Sequence, residues 1–250
     1  MKKLLILGGT GDAVRLSAQA STLNLVVISS LAGRTEQSRL AHDGSTARVG
    51  GFGGVGGLVA YLQQENIDLV IDATHPFAQQ ISGNAAEAAK ICGLSRLVLQ
   101  RPAWEKVAGD RWFSVQNHAA AADMLPGLAQ RIFLTIGRQE LSSYAHLSDL
   151  WFLMRSIDPP PAPLPPGEIV LAKGPFTHTA DKNLLLQHQI ELIVSKNSGG
   201  AATYAKIIAA RELELPIVMI QRPVMPEGLQ VATVDAALVW LKKQLSKHSD

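Results

Sequence analysis

The chain has 250 residues, of which 47% are hydrophobic and 18% charged, with a formal net charge of +2. So apolar a composition excludes intrinsic disorder, and so small a charge excess argues against a nucleic-acid partner. The single cysteine, Cys92, excludes an internal disulfide and a cysteine-rich metal centre.

Length leaves room for one large domain or two of roughly 100–150 residues each. The opening Met1-Lys2-Lys3-Leu4-Leu5-Ile6-Leu7 imitates a signal peptide. Its apolar stretch stops at Gly8-Gly9, and Asp12 and Arg15 follow, so it reads as a strand. No apolar run approaches the ~20 residues a bilayer requires. The expectation is a soluble, cytoplasmic protein with no membrane partner and no bound metal.

In chain order, strands are expected at 3–8, 25–30, 46–49, 68–72 and 96–100, with helices at 12–20, 55–65 and 78–92. The strands are nearly continuous in Leu, Val and Ile, as in a parallel sheet covered on both faces. Alternation with helices through short glycine-bearing turns is the pattern of a doubly wound α/β domain. A second half repeats it. Ile67-Asp68-Leu69-Val70-Ile71-Asp72 reads like Ile190-Glu191-Leu192-Ile193-Val194-Ser195, and an alanine-rich helix follows each. Gln100-Arg101-Pro102 then recurs as Gln221-Arg222-Pro223 at nearly the same spacing. Pro126-Gly127 precedes a new strand at 132–136, which sets the expected boundary, residues 1–126 and 127–250. One further short strand is expected in each half, near 111–115 and 230–234. Six prolines between Asp158 and Gly167 specify a stiff extended loop, and 238–247 reads as a closing helix.

Several motifs fall where the strands end, the edge at which open α/β sheets bind ligands. Gly8-Gly9-Thr10-Gly11-Asp12-Ala13 carries strand into helix and is suited to a pyrophosphate. It matches G-x-G-x-x-G incompletely, because Val14 stands where the third glycine belongs. The second strand ends in Ser29-Ser30 with no acid, and Arg34 follows. Hydroxyls and an arginine suit a 2′-phosphate, which favours NADPH; Glu36 keeps NADH as the alternative. Gly50-Gly51-Phe52-Gly53-Gly54 reads either as a flexible loop or as a wall of the cofactor site.

Asp72-Ala73-Thr74-His75-Pro76-Phe77-Ala78 follows another buried strand. Here Thr74 is expected to cap the next helix, with Pro76 in its first turn. His75 reads either as structural or as a proton donor and anion ligand. In the second half, Ser195-Lys196-Asn197-Ser198-Gly199-Gly200 offers a cation, an amide, hydroxyls and a glycine-rich helix start, which suit a carboxylate or phosphate.

Together these runs resemble the precorrin-6A reductases of cobalamin biosynthesis. The resemblance spans roughly the whole chain, and Asp-Ala-Thr-His-Pro-Phe-Ala is its most specific element. It implies NAD(P)H-dependent reduction of precorrin-6A to precorrin-6B by two Rossmann-like domains with a cleft between them. The first would bind the cofactor and the second the tetrapyrrole, and their last strands are candidates for exchange. On this reading Gly8, Gly9, Thr10, Gly11, Asp12, Ala13, Ser30, Arg34, Gly51, Phe52, Gly53, Ala73 and Thr74 meet the cofactor. The substrate's carboxylates meet Arg138, Lys173, Lys196, Asn197, Ser198, Gly199, Gly200 and His75, and His75 is the candidate acid. Neighbouring enzymes of the pathway are candidate partners. Two alternatives stand beside it: an NADH-dependent cobalt-precorrin-6A reductase, and a non-catalytic nucleotide-binding module. A short-chain dehydrogenase is excluded, since none of Tyr61, Tyr144 and Tyr204 has Lys four residues on.

Overall fold

A computed structural model describes residues 1–31 and 46–246. Its chain divides into two compact units, one formed by Met1–Arg101 with Val224–Asp250, the other by Pro102–Pro223. Each carries six parallel strands, so the two-sheet α/β architecture read from the apolar runs is the one observed.

In the first unit, β1 (Lys2–Leu7), β2 (Leu25–Leu31), β3 (Thr46–Val49), β4 (Leu69–Asp72) and β5 (Ser95–Leu99) are joined by β12 (Leu229–Val231), in the order β12-β5-β4-β1-β2-β3. Strand β1 is central, and Leu4, Leu5 and Ile6 are fully buried because both faces are covered. Helices α1 (Gly11–Ala20) and α7 (Val234–Ser246) close one face, burying Leu16, Trp240 and Leu241 against Leu4, Ile6 and Leu97. Helices α2 (Gly54–Gln64) and α3 (Gln79–Ile91) close the other, where Leu58, Leu62 and Ala85 meet Leu5, Leu7 and Val70. A buried side chain of the Leu or Ile kind contributes about 1.5–3 kcal/mol, so these continuous runs hold the sheet.

The second unit holds β6 (Trp112–Val115), β7 (Arg131–Thr135), β8 (Trp151–Ser156), β9 (Gly167–Leu171), β10 (Leu192–Lys196) and β11 (Ile217–Ile220), ordered β6-β11-β10-β7-β8-β9. Its helices are α4 (His118–Met124), α5 (His178–Gln187) and α6 (Ala205–Glu212), with a 3₁₀ turn at Arg138–Tyr144. Phe133, Leu153, Leu185, Ile193 and Ile207 pack with Trp104 into its core. The six-proline segment is the irregular connection between β8 and β9.

Three expectations are revised. The boundary does not fall at residue 126. The chain passes from one unit to the other after Arg101 and returns after Pro223, because β6 pairs with β11 and β12 pairs with β5. The last strands of the two halves are therefore exchanged between the sheets. The closing helix starts at Val234, four residues earlier than its polar periodicity suggested. The helix expected directly after Gly200 begins only at Ala205, so Ser198-Gly199-Gly200 is a loop and not a helix start.

Candidate active site

Parallel pairing brings the carboxyl ends of all strands in a sheet to one edge, and the motifs of each unit sit there. In the first unit Gly8 N donates to Ser30 O at 2.9 Å, tying the turn after β1 to the end of β2. Gly9 has φ +109°, a conformation other residues rarely adopt, and this turns the chain into α1. Thr10 caps that helix. Its hydroxyl accepts from Ala13 N at 3.1 Å and donates to Ala73 O at 2.8 Å, so one side chain joins the first turn to the end of β4.

A Cβ placed on Gly9 or Gly11 would meet no atom within 4 Å, so space is open beside the start of α1. Asp12 in the first helical turn would oppose an anion, but its carboxylate pairs with Arg15 at 2.5 Å and Arg101 at 3.3 Å. The compensated helix end keeps its positive dipole. Open space, backbone N–H groups and this field fit the pyrophosphate of a nicotinamide dinucleotide.

Ser30 is buried, and Gly51, Phe52 and Gly53 lie in the loop from β3 to α2 on the same edge. That loop is anchored, not loose: Arg48 donates to Gly50 O at 2.6 Å and to Gly51 O at 2.8 Å. Arg34, with Gly33, Thr35, Glu36 and Arg39, lies outside the described residues.

After β4, Ala73 is buried and supplies the carbonyl that Thr10 uses. Thr74 does not cap α3, whose N-cap is Ala78 and has no side-chain bond, and Pro76 precedes the helix altogether. Instead Thr74 Oγ1 donates to Asp72 Oδ1 at 2.7 Å and lies 3.2 Å from Ser82 Oγ. A cap must receive an N–H of the first helical turn, and α3 starts only at Gln79, so the hydroxyl closes a short turn onto the preceding acid instead. His75 Nδ1 accepts from Phe77 N at 3.2 Å, which fixes the ring and assigns its proton to Nε2.

In the second unit, Arg138 opens the 3₁₀ turn after β7, 3.9 Å from Asp158 Oδ2. Lys173 is exposed in the segment after β9. Lys196 ends β10, with its ammonium 3.7 Å from Glu140 Oε1. Arg222 donates to the carbonyls of Asn197 and Ser198 at 2.9 and 3.1 Å, holding the loop after β10. Gly199 has φ +67°, and a Cβ there would lie 2.0 Å from Pro102 O, so no other residue fits this crossing. Asn197 is buried and its amide serves the fold, with Oδ1 accepting from Trp104 N at 2.8 Å and Nδ2 donating to Trp104 O at 3.0 Å.

Sequence reasoning missed the neighbours of Lys196. Glu140 is also 3.9 Å from His118 Nε2, and His118 Nδ1 is 3.1 Å from the buried Tyr144 hydroxyl. Burial, and secondarily Lys196, push the His118 imidazole down to about 4. The Tyr144 phenol is raised by burial and then by Glu140. Glu140 and Tyr144 share one turn, but His118 and Lys196 lie 22 and 56 positions from Glu140, and no local period links the three elements. Among the described residues no cluster of His, Cys, Asp and Glu could hold a metal ion.

The family model described as precorrin-6x reductase CbiJ/CobK matches residues 3–242. A protein of Rhodococcus erythropolis named precorrin-6A reductase is 45% identical, over 96% of this chain and 98% of its own. One of the same name from Rhodobacter capsulatus is 44% identical, over 96% of both. A Priestia megaterium protein named cobalt-precorrin-6A reductase is 26% identical, over 96% and 98%. The solved structure titled CobK precorrin-6A reductase superposes with a TM-score of 0.89 at 42% identity, covering 97% of each chain.

Proposed function

The chain belongs to the precorrin-6x reductase family and is a reductase, and from that premise we propose that it converts precorrin-6A to precorrin-6B with NADPH. The observation that carries the cofactor half of this reading is the turn at Gly9-Thr10-Gly11, open in front and rigidly tied to β4. A nicotinamide dinucleotide supplies a hydride when bound. The residues that would hold it are Gly9 to Ala13 at the pyrophosphate, with Ser30 and Arg34 toward the 2′-phosphate and Gly51, Phe52, Ala73 and Thr74 as walls.

In the second unit, Arg138, Lys173 and Lys196 stand at the carboxyl edge of one sheet, where a polycarboxylate would be gripped by charge-assisted hydrogen bonds. Asn197 and Gly199 shape that loop for Ser198 and Gly200. The proton that accompanies the hydride comes from His75 Nε2 or from water, and positioning of the two ligands supplies most of the rate.

Purified enzyme assayed with precorrin-6A and with cobalt-precorrin-6A, each with NADPH and NADH, tests the reading. Rapid loss of reduced nicotinamide only with precorrin-6A and NADPH is expected. Turnover confined to the cobalt substrate, or preference for NADH, would overturn the substrate or cofactor assignment respectively.

A further inference from the structure

We propose that Arg48 on β3 reads the 2′-phosphate of the dinucleotide; this rests on the NADPH reading above and goes beyond the arginine that follows β2. In a doubly wound sheet the adenosine ribose lies at the end of β2, where an acid selects a free 2′-hydroxyl and a nearby arginine selects a 2′-phosphate. Strand β2 ends in Ser29, Ser30 and Leu31, with no acid. Its neighbour β3 places Arg48 directly opposite Ser30 in the ladder.

The side chain is already set for the task. Nη1 donates to Gly50 O at 2.6 Å and lies 3.4 Å from Ser30 Oγ, while Nη2 donates to Gly51 O at 2.8 Å. The guanidinium lies 3.8 Å from the centre of the Phe52 ring and 5.0 Å from that of Tyr61. Those rings are themselves in edge contact at 5.2 Å. A guanidinium has five N–H donors. Nε and one N–H on Nη2 have no acceptor among the described residues, and no described carboxylate lies within ion-pair distance.

Fixing an arginine in advance removes much of the entropy cost of binding, and a phosphate is the anion its fork matches best. The bland role, anchoring the glycine loop, is real as well. It predicts a different result, because a loop anchor supports every adenine nucleotide equally.

The test compares adenosine 2′,5′-bisphosphate with AMP, which differ only in the 2′-phosphate, by calorimetric titration of the whole protein. Wild type should favour the bisphosphate. Arg48→Ala should weaken the bisphosphate by roughly 10- to 150-fold, the equivalent of one charge-assisted contact, and AMP by no more than about 3-fold. Arg48→Lys, which keeps the charge and loses the fork, should retain part of the preference and guards against a folding defect in the alanine variant. Equal weakening of both probes in the two variants would reduce Arg48 to a loop anchor, and an undiminished preference would assign the phosphate elsewhere. A wild-type protein without preference would instead overturn the NADPH reading itself.

Discussion

The Gln-Arg-Pro arginine that follows the fifth strand of each half does different work in the two units. Arg101 reaches a side chain, the Asp12 carboxylate, and tempers charge at a helix N-terminus. Arg222 reaches the backbone and pins the loop after β10. The strand orders are the same in kind, yet the carboxyl edge of the first sheet carries Gly9, Thr10, Gly11 and Ser30, and that of the second carries Arg138, Lys173 and Lys196. Fold sets where the edge lies, and the side chains placed on it set what it takes.

The interiors differ too. In the second unit Arg155, 8% exposed, pairs with Asp181, 1% exposed, and stacks on Phe176 at 3.7 Å. Lys206 lies 2% exposed beside them, its ammonium bonded to Thr203 O at 2.9 Å and its pKa pushed down to about 7 by burial and then by Arg155. The first unit, among its described residues, has no ion pair so enclosed; its buried Asp72 accepts at Oδ1 from the Thr74 amide and hydroxyl, while Oδ2 has no hydrogen-bond partner among the described residues.

The largest test of this contrast removes one partner of the enclosed pair. Arg155→Met should cost about 3–5 kcal/mol in denaturant unfolding, since it strands Asp181 in the core. The double variant Arg155→Met with Asp181→Leu should recover most of that loss. A cost below about 1 kcal/mol for the single variant would show that enclosure of charge does not set the second unit apart.

Next in size is a dependence on acid. His118 has a folded pKa of about 4 against an ordinary 6.5, so between these values the unfolded chain binds more protons. Stability should therefore rise with pH from about 4 to 6.5 and then level off, a span on the order of 2–3 kcal/mol. His118→Gln should flatten that part of the profile. An unchanged slope in urea melts across this range would place the titration elsewhere.

The smallest test compares helix caps. The Thr10 side chain makes two hydrogen bonds, whereas that of Thr177, capping α5, makes one among the described residues, with Ala180 N. Thr10→Val should cost about 1.5–2.5 kcal/mol and Thr177→Val about 0.5–1. Equal losses would mean that the bond from Thr10 to Ala73 contributes nothing beyond the cap.

By itself the sequence determined what local pattern can carry. Continuous Leu, Val and Ile runs specified buried parallel strands to within a residue or two, as at β1, β4 and β10. Gly8-Gly9-Thr10-Gly11 specified the turn from strand into helix, because a positive φ is a local requirement, whereas the capping role of Thr10 came from the structure. Thr74 was misread because α3 begins only at Gln79, too far on for the Thr74 hydroxyl to receive a first-turn N–H, and no local pattern marks that start.

Tertiary structure alone decided everything that depends on partners far apart in the chain. An edge strand such as β6 or β12 carries no mark of the sheet it will join, since its ladder bonds are backbone to backbone and any parallel edge satisfies them. Arg48 looks like an ordinary strand cation until pairing sets it beside Ser30 and closure of the loop sets it over Phe52. The grip of Asn197 on Trp104 and the meeting of His118, Glu140 and Lys196 arise the same way. Hydrogen bonds and charges act over a few ångströms, and folding chooses which distant residues come that close.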